Sequence, residues 1–87
     1  MGGVLGAGAR QQAILRLLDD DKPRTARMIA HETGILLDGV CSSLVPMRNR
    51  GWVEYTGDTG YYRAPYQRIT PTGRTMIIED TTSTDDP

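Results

Sequence analysis

The arginines are the residues of this chain with the clearest chemistry, because a guanidinium is always charged and donates paired hydrogen bonds to phosphate or carboxylate oxygens. From Lys22 to Arg74 the sequence has eight bases and four acids, a formal charge of +4. Residues 1–21 carry −1 and residues 75–87 carry −4, which brings the whole chain to −1. A basic middle segment favours contact with a polyanion, and a solvated arginine-rich surface is the alternative.

Other kinds of chemistry have little support. Cys41 is the single cysteine and His31 the single histidine, which excludes an internal disulfide and a four-ligand zinc site. Paired catalytic carboxylates and nucleophile motifs are absent, so we predict no enzyme activity, no metal and no cofactor. No apolar run approaches the ~20 residues that span a bilayer, and the chain fits a reducing cytoplasm. We expect Cys41 to be a small buried residue and His31 to lie on the surface.

Two helices joined by a glycine turn are predicted between Thr25 and Gly51. Thr25 is a suitable N-cap for a helix that begins at the next residue, and Gly34 tolerates the left-handed conformation that ends it. In the second helix three apolar residues repeat at i, i+4 and i+7, so they must face inward. They are Val40, Leu44 and Met47. Because Pro46 deletes a backbone hydrogen bond, we expect a kink or an irregular last turn.

A hairpin should follow the second helix. Residues 52–56 have the β-branched and aromatic content of a strand, with Trp52 in the core. Turn residues come next and then an aromatic segment up to Tyr66, which is typical of a hairpin loop. Pro65 disfavours a regular strand there, so residues 67–70 are predicted to be the returning strand.

The ends of the chain complete a single domain over residues 9–79. A first helix is predicted for residues 9–20, with one apolar face and one solvent-exposed face. Its inward residues are Ala13, Ile14, Leu17 and Leu18, and its solvated residues are Arg10, Gln11, Gln12 and Arg16. Thr70 should cap a last helix that has Pro71 at its first position and Met76, Ile77 and Ile78 on its apolar side. Residues 1–8 are expected to be a flexible arm and residues 80–87 a disordered acidic tail.

Several motifs resemble a known family. They are T-A-x-x-I-A-x-x-T-G-I in residues 25–35, V-x-x-x-L-x-x-M in residues 40–47, R-G-W-V-E in residues 50–54 and R-I-T-P-T-G-R in residues 68–74. Together they resemble the winged helix-turn-helix domain of prokaryotic and phage transcriptional regulators, MarR-like ones among them. The resemblance implies an α+β, mainly α fold with a three-helix core, a β-hairpin wing, a short first strand at residues 24–25 and a short C-terminal helix.

The same resemblance implies where nucleic acid would bind. The exposed face of the second motif helix enters the major groove in such domains, and here it is predicted to carry Leu37, Asp38, Gly39, Ser42, Ser43 and Pro46. This set has two hydroxyls but no Arg for guanine and no Asn or Gln for adenine. The stronger electrostatic set is peripheral and would contact phosphates or the minor groove. It consists of Arg24, Arg27, Arg48, Arg50 and Arg63.

Double-stranded DNA is therefore the expected partner, and the expected function is that of a small transcriptional regulator of prokaryotic or viral origin. A homodimer reading paired half-sites is the usual arrangement, with residues 1–20 and 72–80 as the candidate interface. Two alternatives stay open. The domain could serve as a protein-interaction module through its tyrosine-rich wing, or as an architectural or excisionase-like protein that binds DNA beside another protein.

Overall fold

The computed structural model describes residues 8–78. The predictions for the remaining arm and for the acidic tail lie outside the described residues. The elements in chain order are α1 (Ala9–Leu18), α2 (Ala26–Thr33), α3 (Leu37–Asn49), β1 (Val53–Thr59), a 3-10 turn (Tyr61–Arg63), β2 (Pro65–Ile69) and α4 (Pro71–Thr75). No single helix in this range is long and apolar enough to cross a membrane, and α2 and α3 pass that test only as a pair bent by 118°.

The core lies where the first three helices meet the inner face of the hairpin. Its members are at most 5% exposed, and they are Ile14, Leu15, Leu18, Ile29, Val40, Leu44, Met47, Trp52, Val53 and Ile69. The predicted stripe of α3 and the burial of Trp52 are thus confirmed. Complete burial of one large aliphatic side chain contributes about 1.5–3 kcal/mol, so this cluster supplies the main driving force for a domain of this size.

The predicted helix ends are confirmed at three positions. The Oγ1 of Thr25 accepts a hydrogen bond from the amide of Met28 at 3.2 Å, which caps α2. Gly34 ends the same helix with φ of 79°, in the left-handed region that favours glycine. Thr70 caps α4 through its Oγ1, which accepts from the amide of Gly73 at 3.0 Å. Each of these signals is local in sequence, which is why it could be recognised there.

The hairpin is a two-stranded antiparallel sheet. Val53 pairs with Ile69 and Tyr55 with Gln67, and the register shifts between Tyr55 and Thr59. Because directly paired residues share a face, these four side chains point toward the helices. Glu54 and Arg68 pair on the outer face, where they form a salt bridge of 2.9 Å.

The short first strand is present as an isolated bridge. The backbone amide of Arg24 donates to the carbonyl of Gln67 at 2.9 Å, and the amide of Gln67 donates back at 2.8 Å. The returning strand begins earlier than predicted, at Pro65. Proline is tolerated there because the first residue of a strand needs no ladder donor.

The helices also depart from the predictions. The first helix ends at Leu18 and not at residue 20, and α4 ends at Thr75, so residues 76–78 lie beyond it. The α3 helix continues through Pro46 to Asn49 as one element, in agreement with the predicted end near Gly51, and the kink or irregular last turn expected at Pro46 stays a prediction. Missing one hydrogen bond near the C-terminus of a packed helix therefore does not end it.

Gln12 was predicted to be solvated, and this is wrong, because it is only 8% exposed. Its Nε2 donates to the carbonyl of Met76 at 2.6 Å, and its Oε1 accepts from the amide of Ile78 at 2.9 Å. A buried amide is stable only when both of its polar ends are bonded, and the segment after α4 supplies both partners. The two ends of the described chain are therefore joined through Gln12.

Candidate nucleic-acid interface

Arg24 does not belong to the exposed arginine set, and its predicted surface position is wrong. Its side chain is 9% exposed and forms ion pairs with Asp20 at 2.9 Å and with Glu32 at 3.1 Å. The same guanidinium donates to the carbonyl of Leu17 at 3.1 Å. An almost buried charge needs such partners, and Arg24 uses its donors to join the end of α1 to α2. It has a structural role.

The outward face of α3 is rotated relative to the prediction. Ser43 is 8% exposed, because it lies at i+3 from Val40 and next to Leu44 and so completes the buried stripe. Cys41, which was predicted to be buried, is exposed. The residues of α3 that lie outward are Leu37, Asp38, Cys41, Ser42, Val45 and Asn49, whereas Pro46 is half-buried. The face therefore includes an amide, Asn49, of the type that reads adenine.

Gly39 is a place of close approach and not an open part of this face. A Cβ built there would lie 3.1 Å from the Cγ2 of Ile35 and 3.3 Å from the Cζ of Arg10. The guanidinium of Arg10, on α1, therefore lies against the first turn of α3. Arg10, with Leu36 and Asp38 among its neighbours, lines an open depression of about 420 Å³. No local pattern predicts this contact, since Gly39 follows Arg10 by 29 positions in the sequence.

Three of the remaining arginines lie beside aromatic rings. The Cζ of Arg48 is 4.6 Å from the centroid of Tyr55, and that of Arg50 is 5.1 Å from Trp52. Arg27 is 6.0 Å from the ring of Tyr62. A cation over an aromatic face within about 6 Å is attracted to it, and this restricts the side chain without removing its charge.

A groove of about 200 Å³ runs between α3 and the hairpin. It is lined by Ala26, Cys41, Leu44, Val45, Arg48, Tyr55, Ala64, Pro65 and Gln67. Arg48 is the arginine among these lining residues, and Ala26 and Ala64, which also line the groove, are the chain neighbours of Arg27 and Arg63. Arg50 lies at the end of α3 and completes the basic set on that helix.

Carboxylates separate the basic residues into two groups. Arg24, Arg68 and Arg74 are paired with acids, Arg74 with both Asp19 and Asp21. Among residues 8–78, no ion pair involves Arg10, Lys22, Arg27, Arg48, Arg50 or Arg63. We call four of these, Arg27 on α2, Arg48 and Arg50 at the end of α3 and Arg63 at the tip of the hairpin, the open arginines. Their charge is left for an external anion, whereas the first group is neutralised within the domain.

The tip of the hairpin has a strained backbone. Tyr62 and Arg63 are consecutive non-glycine residues with φ of 55° and 59°. Such a conformation costs of order 1 kcal/mol or more for each residue, and it persists only where the surroundings enforce it. Its effect here is to present Tyr62, which is 89% exposed, and the neighbouring Arg63 at the end of the hairpin.

Solved structures with the same architecture share little sequence with this chain. ZitR from Lactococcus lactis matches with a TM-score of 0.75 and 21% identity over 94% of this chain and 55% of its own. BpsR from Bordetella bronchiseptica, whose DNA binding is regulated by 6-hydroxynicotinic acid, matches with a TM-score of 0.72 and 19% identity over 86% of this chain and 53% of its own. A MarR family regulator from Neisseria meningitidis matches with a TM-score of 0.70 and 20% identity over 87% of this chain and 54% of its own.

The fold is a winged helix-turn-helix. In its terms α2 and α3 are the helix-turn-helix, α3 is the recognition helix and the hairpin β1–β2 is the wing. The chain spans about half of the length of each of these three structures. No protein-family model matches the sequence, and no curated protein matches it either. At these identities the likeness establishes the fold, and the site has to be argued from this chain's own residues.

Proposed function

We propose that this domain binds double-stranded DNA and acts in transcriptional regulation, with α3 in the major groove and the wing beside it. The observation that carries the proposal is the separation of charge: the open arginines lie on α2, at the end of α3 and at the tip of the wing, whereas the domain's own carboxylates neutralise Arg24, Arg68 and Arg74. The structural neighbours include MarR family regulators, which agrees with this proposal. A prokaryotic or viral origin and a two-fold dimer belong to the same proposal.

The proposed contacts divide between affinity and readout. The open arginines would bind phosphates, which fixes the position of the domain but carries no sequence information. Ser42, Asn49 and the apolar Val45 are the outward side chains of α3 that could meet base edges, Val45 through a thymine methyl group. Because Asp38 also faces outward and repels phosphate, we expect the N-terminal end of α3 to sit away from the backbone.

Fluorescence anisotropy of a labelled duplex, titrated with the protein at several salt concentrations, tests the proposal. Contact with four phosphates predicts a slope of log K against log salt of about −3.6, from ~0.9 for each contact. Arg63→Ala should weaken binding several-fold and reduce the magnitude of the slope by about 0.9, because one phosphate contact is lost.

Arg68→Ala is the matched control, since it removes the same formal charge from the same hairpin. Arg68 lies on the outer face and is paired with Glu54, so its loss should leave the slope unchanged. Equal losses for the two variants would mean that net charge alone sets the affinity. Absence of salt-sensitive binding by the wild-type protein at ~50 mM salt would contradict DNA binding.

A protein-interaction module is the second candidate, and exposed apolar side chains favour it. Leu36 is 82% exposed and Tyr62 is 89% exposed, one at the turn before α3 and the other at the tip of the wing. Tyrosine is enriched at protein interfaces, and large exposed apolar groups are typical of docking surfaces. If the anisotropy experiment gives no binding, a pull-down with the wild-type domain and with a Leu36→Ser and Tyr62→Ser variant decides this alternative.

A further inference from the structure

We infer that Gln67 and Tyr55, both on the wing, are positioning residues that fix the guanidinium of Arg48 for contact with a phosphate at the junction of the recognition helix and the wing. The inference rests on the proposed DNA-binding function and adds to it a division of roles. Arg48 makes the contact, and the two wing residues hold it without touching DNA themselves.

The hydrogen bond to Gln67 is the first part of the argument. The Nη1 of Arg48 donates to the Oε1 of Gln67 at 2.9 Å. Gln67 is only 3% exposed, and its backbone is bonded to Arg24 in both directions, at 2.9 and 2.8 Å. The acceptor is therefore part of the rigid interior, and it fixes one edge of a guanidinium that keeps further N–H donors for another partner.

The ring of Tyr55 supplies the second constraint. Its centroid lies 4.6 Å from the Cζ of Arg48, and Tyr55 is the direct cross-strand partner of Gln67. One face of the wing thus presents a ring and an amide oxygen side by side. The ring and the amide oxygen thus restrain the same guanidinium at two different points, the ring through its face and the amide through a hydrogen bond.

The other open arginines lack this arrangement. Arg27 and Arg50 each lie by a ring, at 6.0 and 5.1 Å, but within residues 8–78 no guanidinium of Arg27, Arg50 or Arg63 donates a hydrogen bond to a buried acceptor. Arg48 is also half-buried in the groove, which lowers the number of conformations it loses on binding. An arginine held in its bound conformation binds more tightly because less side-chain entropy is lost.

A double-mutant cycle on the full chain tests the inference. Gln67→Met keeps the length of the side chain and removes the acceptor, and it should weaken duplex binding roughly two- to twelvefold, since ordering one long side chain costs about 0.5–1.5 kcal/mol and 1.4 kcal/mol is tenfold. In the Arg48→Ala background the same change should have no effect. In the Arg48→Lys background, Gln67→Met should likewise leave the affinity for the duplex unchanged, because an ammonium lacks the planar fork of donors.

Tyr55 provides an independent arm should Gln67→Met fail to fold. Tyr55→Leu should weaken binding, whereas Tyr55→Phe, which keeps the ring, should bind like the wild type. In the free protein, proton NMR should show an upfield ring-current shift of the Arg48 side chain that is lost in Tyr55→Leu and kept in Tyr55→Phe. This readout does not depend on DNA.

The outcomes are distinguishable. Coupling between Gln67 and Arg48, with rescue by Tyr55→Phe, supports the positioning role. Equal losses for Gln67→Met with and without Arg48, or a Tyr55→Phe variant as weak as Tyr55→Leu, overturn the positioning role and leave DNA binding standing. If the wild-type protein shows no salt-sensitive binding, the proposed function is overturned and this role with it.

Discussion

Arg24 and Arg48 are the same residue type with opposite uses in this domain. Arg24 is held between two carboxylates and a carbonyl, and its charge is cancelled inside the structure. Arg48 bonds to a neutral amide and lies over a ring, so its charge is retained. At the scale of single residues, the identity of the partner therefore decides whether an arginine stabilises the fold or is left for a ligand.

The Asp20–Arg24 pair makes stability depend on acid pH. The hydrogen bond from the Arg24 guanidinium holds the pKa of Asp20 well below its ordinary value of 3.8. A lowered pKa in the folded state means that the contribution is complete above pH 3.8 and is lost progressively as the pH falls below it. Asp20→Asn should therefore lower the Tm at pH 7, and the difference from the wild type should shrink below pH ~4.

Thermal unfolding followed by circular dichroism between pH 2 and 7 measures this difference. Glu54→Gln is the matched control. It removes a carboxylate whose salt bridge with Arg68 joins two half-exposed side chains and therefore contributes little to the stability of the fold. A Tm difference for Asp20→Asn that stays constant down to pH 2 would contradict the linkage.

At the scale of elements, local chemistry explains which parts of the fold could be predicted. The caps at Thr25, Gly34 and Thr70 depend on neighbours within four residues, and all three were predicted correctly. The apolar stripe of α3 was also correct, but three residues do not define the edges of a face. Because Ser43 is polar, its side chain is predicted to face outward, although its position beside Leu44 places it inward.

Contacts between residues far apart in the sequence cannot be predicted from such local patterns. Arg24 pairs with Asp20 and Glu32, and these two carboxylates come together only when the end of α1 packs on α2. Because that packing is not visible in the sequence, a surface position is predicted for Arg24. The same holds for Gln12, which needs the backbone after α4, and for Arg10, which needs the first turn of α3. Much of the fold could thus be predicted from sequence, whereas the choice among its arginines could not.

The docking of α4 depends on one glycine. A Cβ at Gly73 would lie far inside van der Waals contact with the carbonyl oxygen of Trp52. Gly73→Ala must therefore displace α4 or the start of the wing, and we expect a loss of about 1–3 kcal/mol in the free energy of unfolding. Denaturant titration measures it, and the Trp52 fluorescence reports the same transition.

Gly8→Ala is the control for this substitution, since a Cβ there meets no atom within 4 Å. Because Gly8 is the N-cap of α1, where alanine is less favourable than glycine, it should lower the free energy of unfolding by no more than about 1 kcal/mol. An unchanged stability of Gly73→Ala would mean that α4 is not packed on Trp52 as described.

At the scale of the whole molecule, overall charge and local charge differ in sign. The sequence pI is about 5.7 and the net charge is −1, yet the four open arginines have no ion pair within residues 8–78. Local fields of this kind, and not net charge, determine which polyions a protein attracts. The acidic residues that lower the pI lie partly in residues 79–87 and partly in the ion pairs near α1.

Retention on a heparin column at pH 7 follows from this distribution. The wild-type protein should be retained at low salt although it is formally anionic, because the sulfated chain meets the open arginines. Arg27→Ala combined with Arg63→Ala should elute at clearly lower salt. A variant with Arg68→Ala and Arg74→Ala, which has the same net charge, should elute close to the wild type, and reversed order would contradict the distribution described here.

The bonds of Gln12 have a consequence for the time at which the domain can form. Its two partners, Met76 and Ile78, follow it by 64 and 66 residues. At a synthesis rate of ~5–20 residues per second, the first partner is made roughly 3–13 s after Gln12 itself. Throughout that interval α1 exists without the segment that satisfies its buried amide. We therefore expect a nascent chain that stops before residue 76 to be incompletely folded and susceptible to proteases. Folding of the domain should be complete only after residues 76–78 have been synthesised.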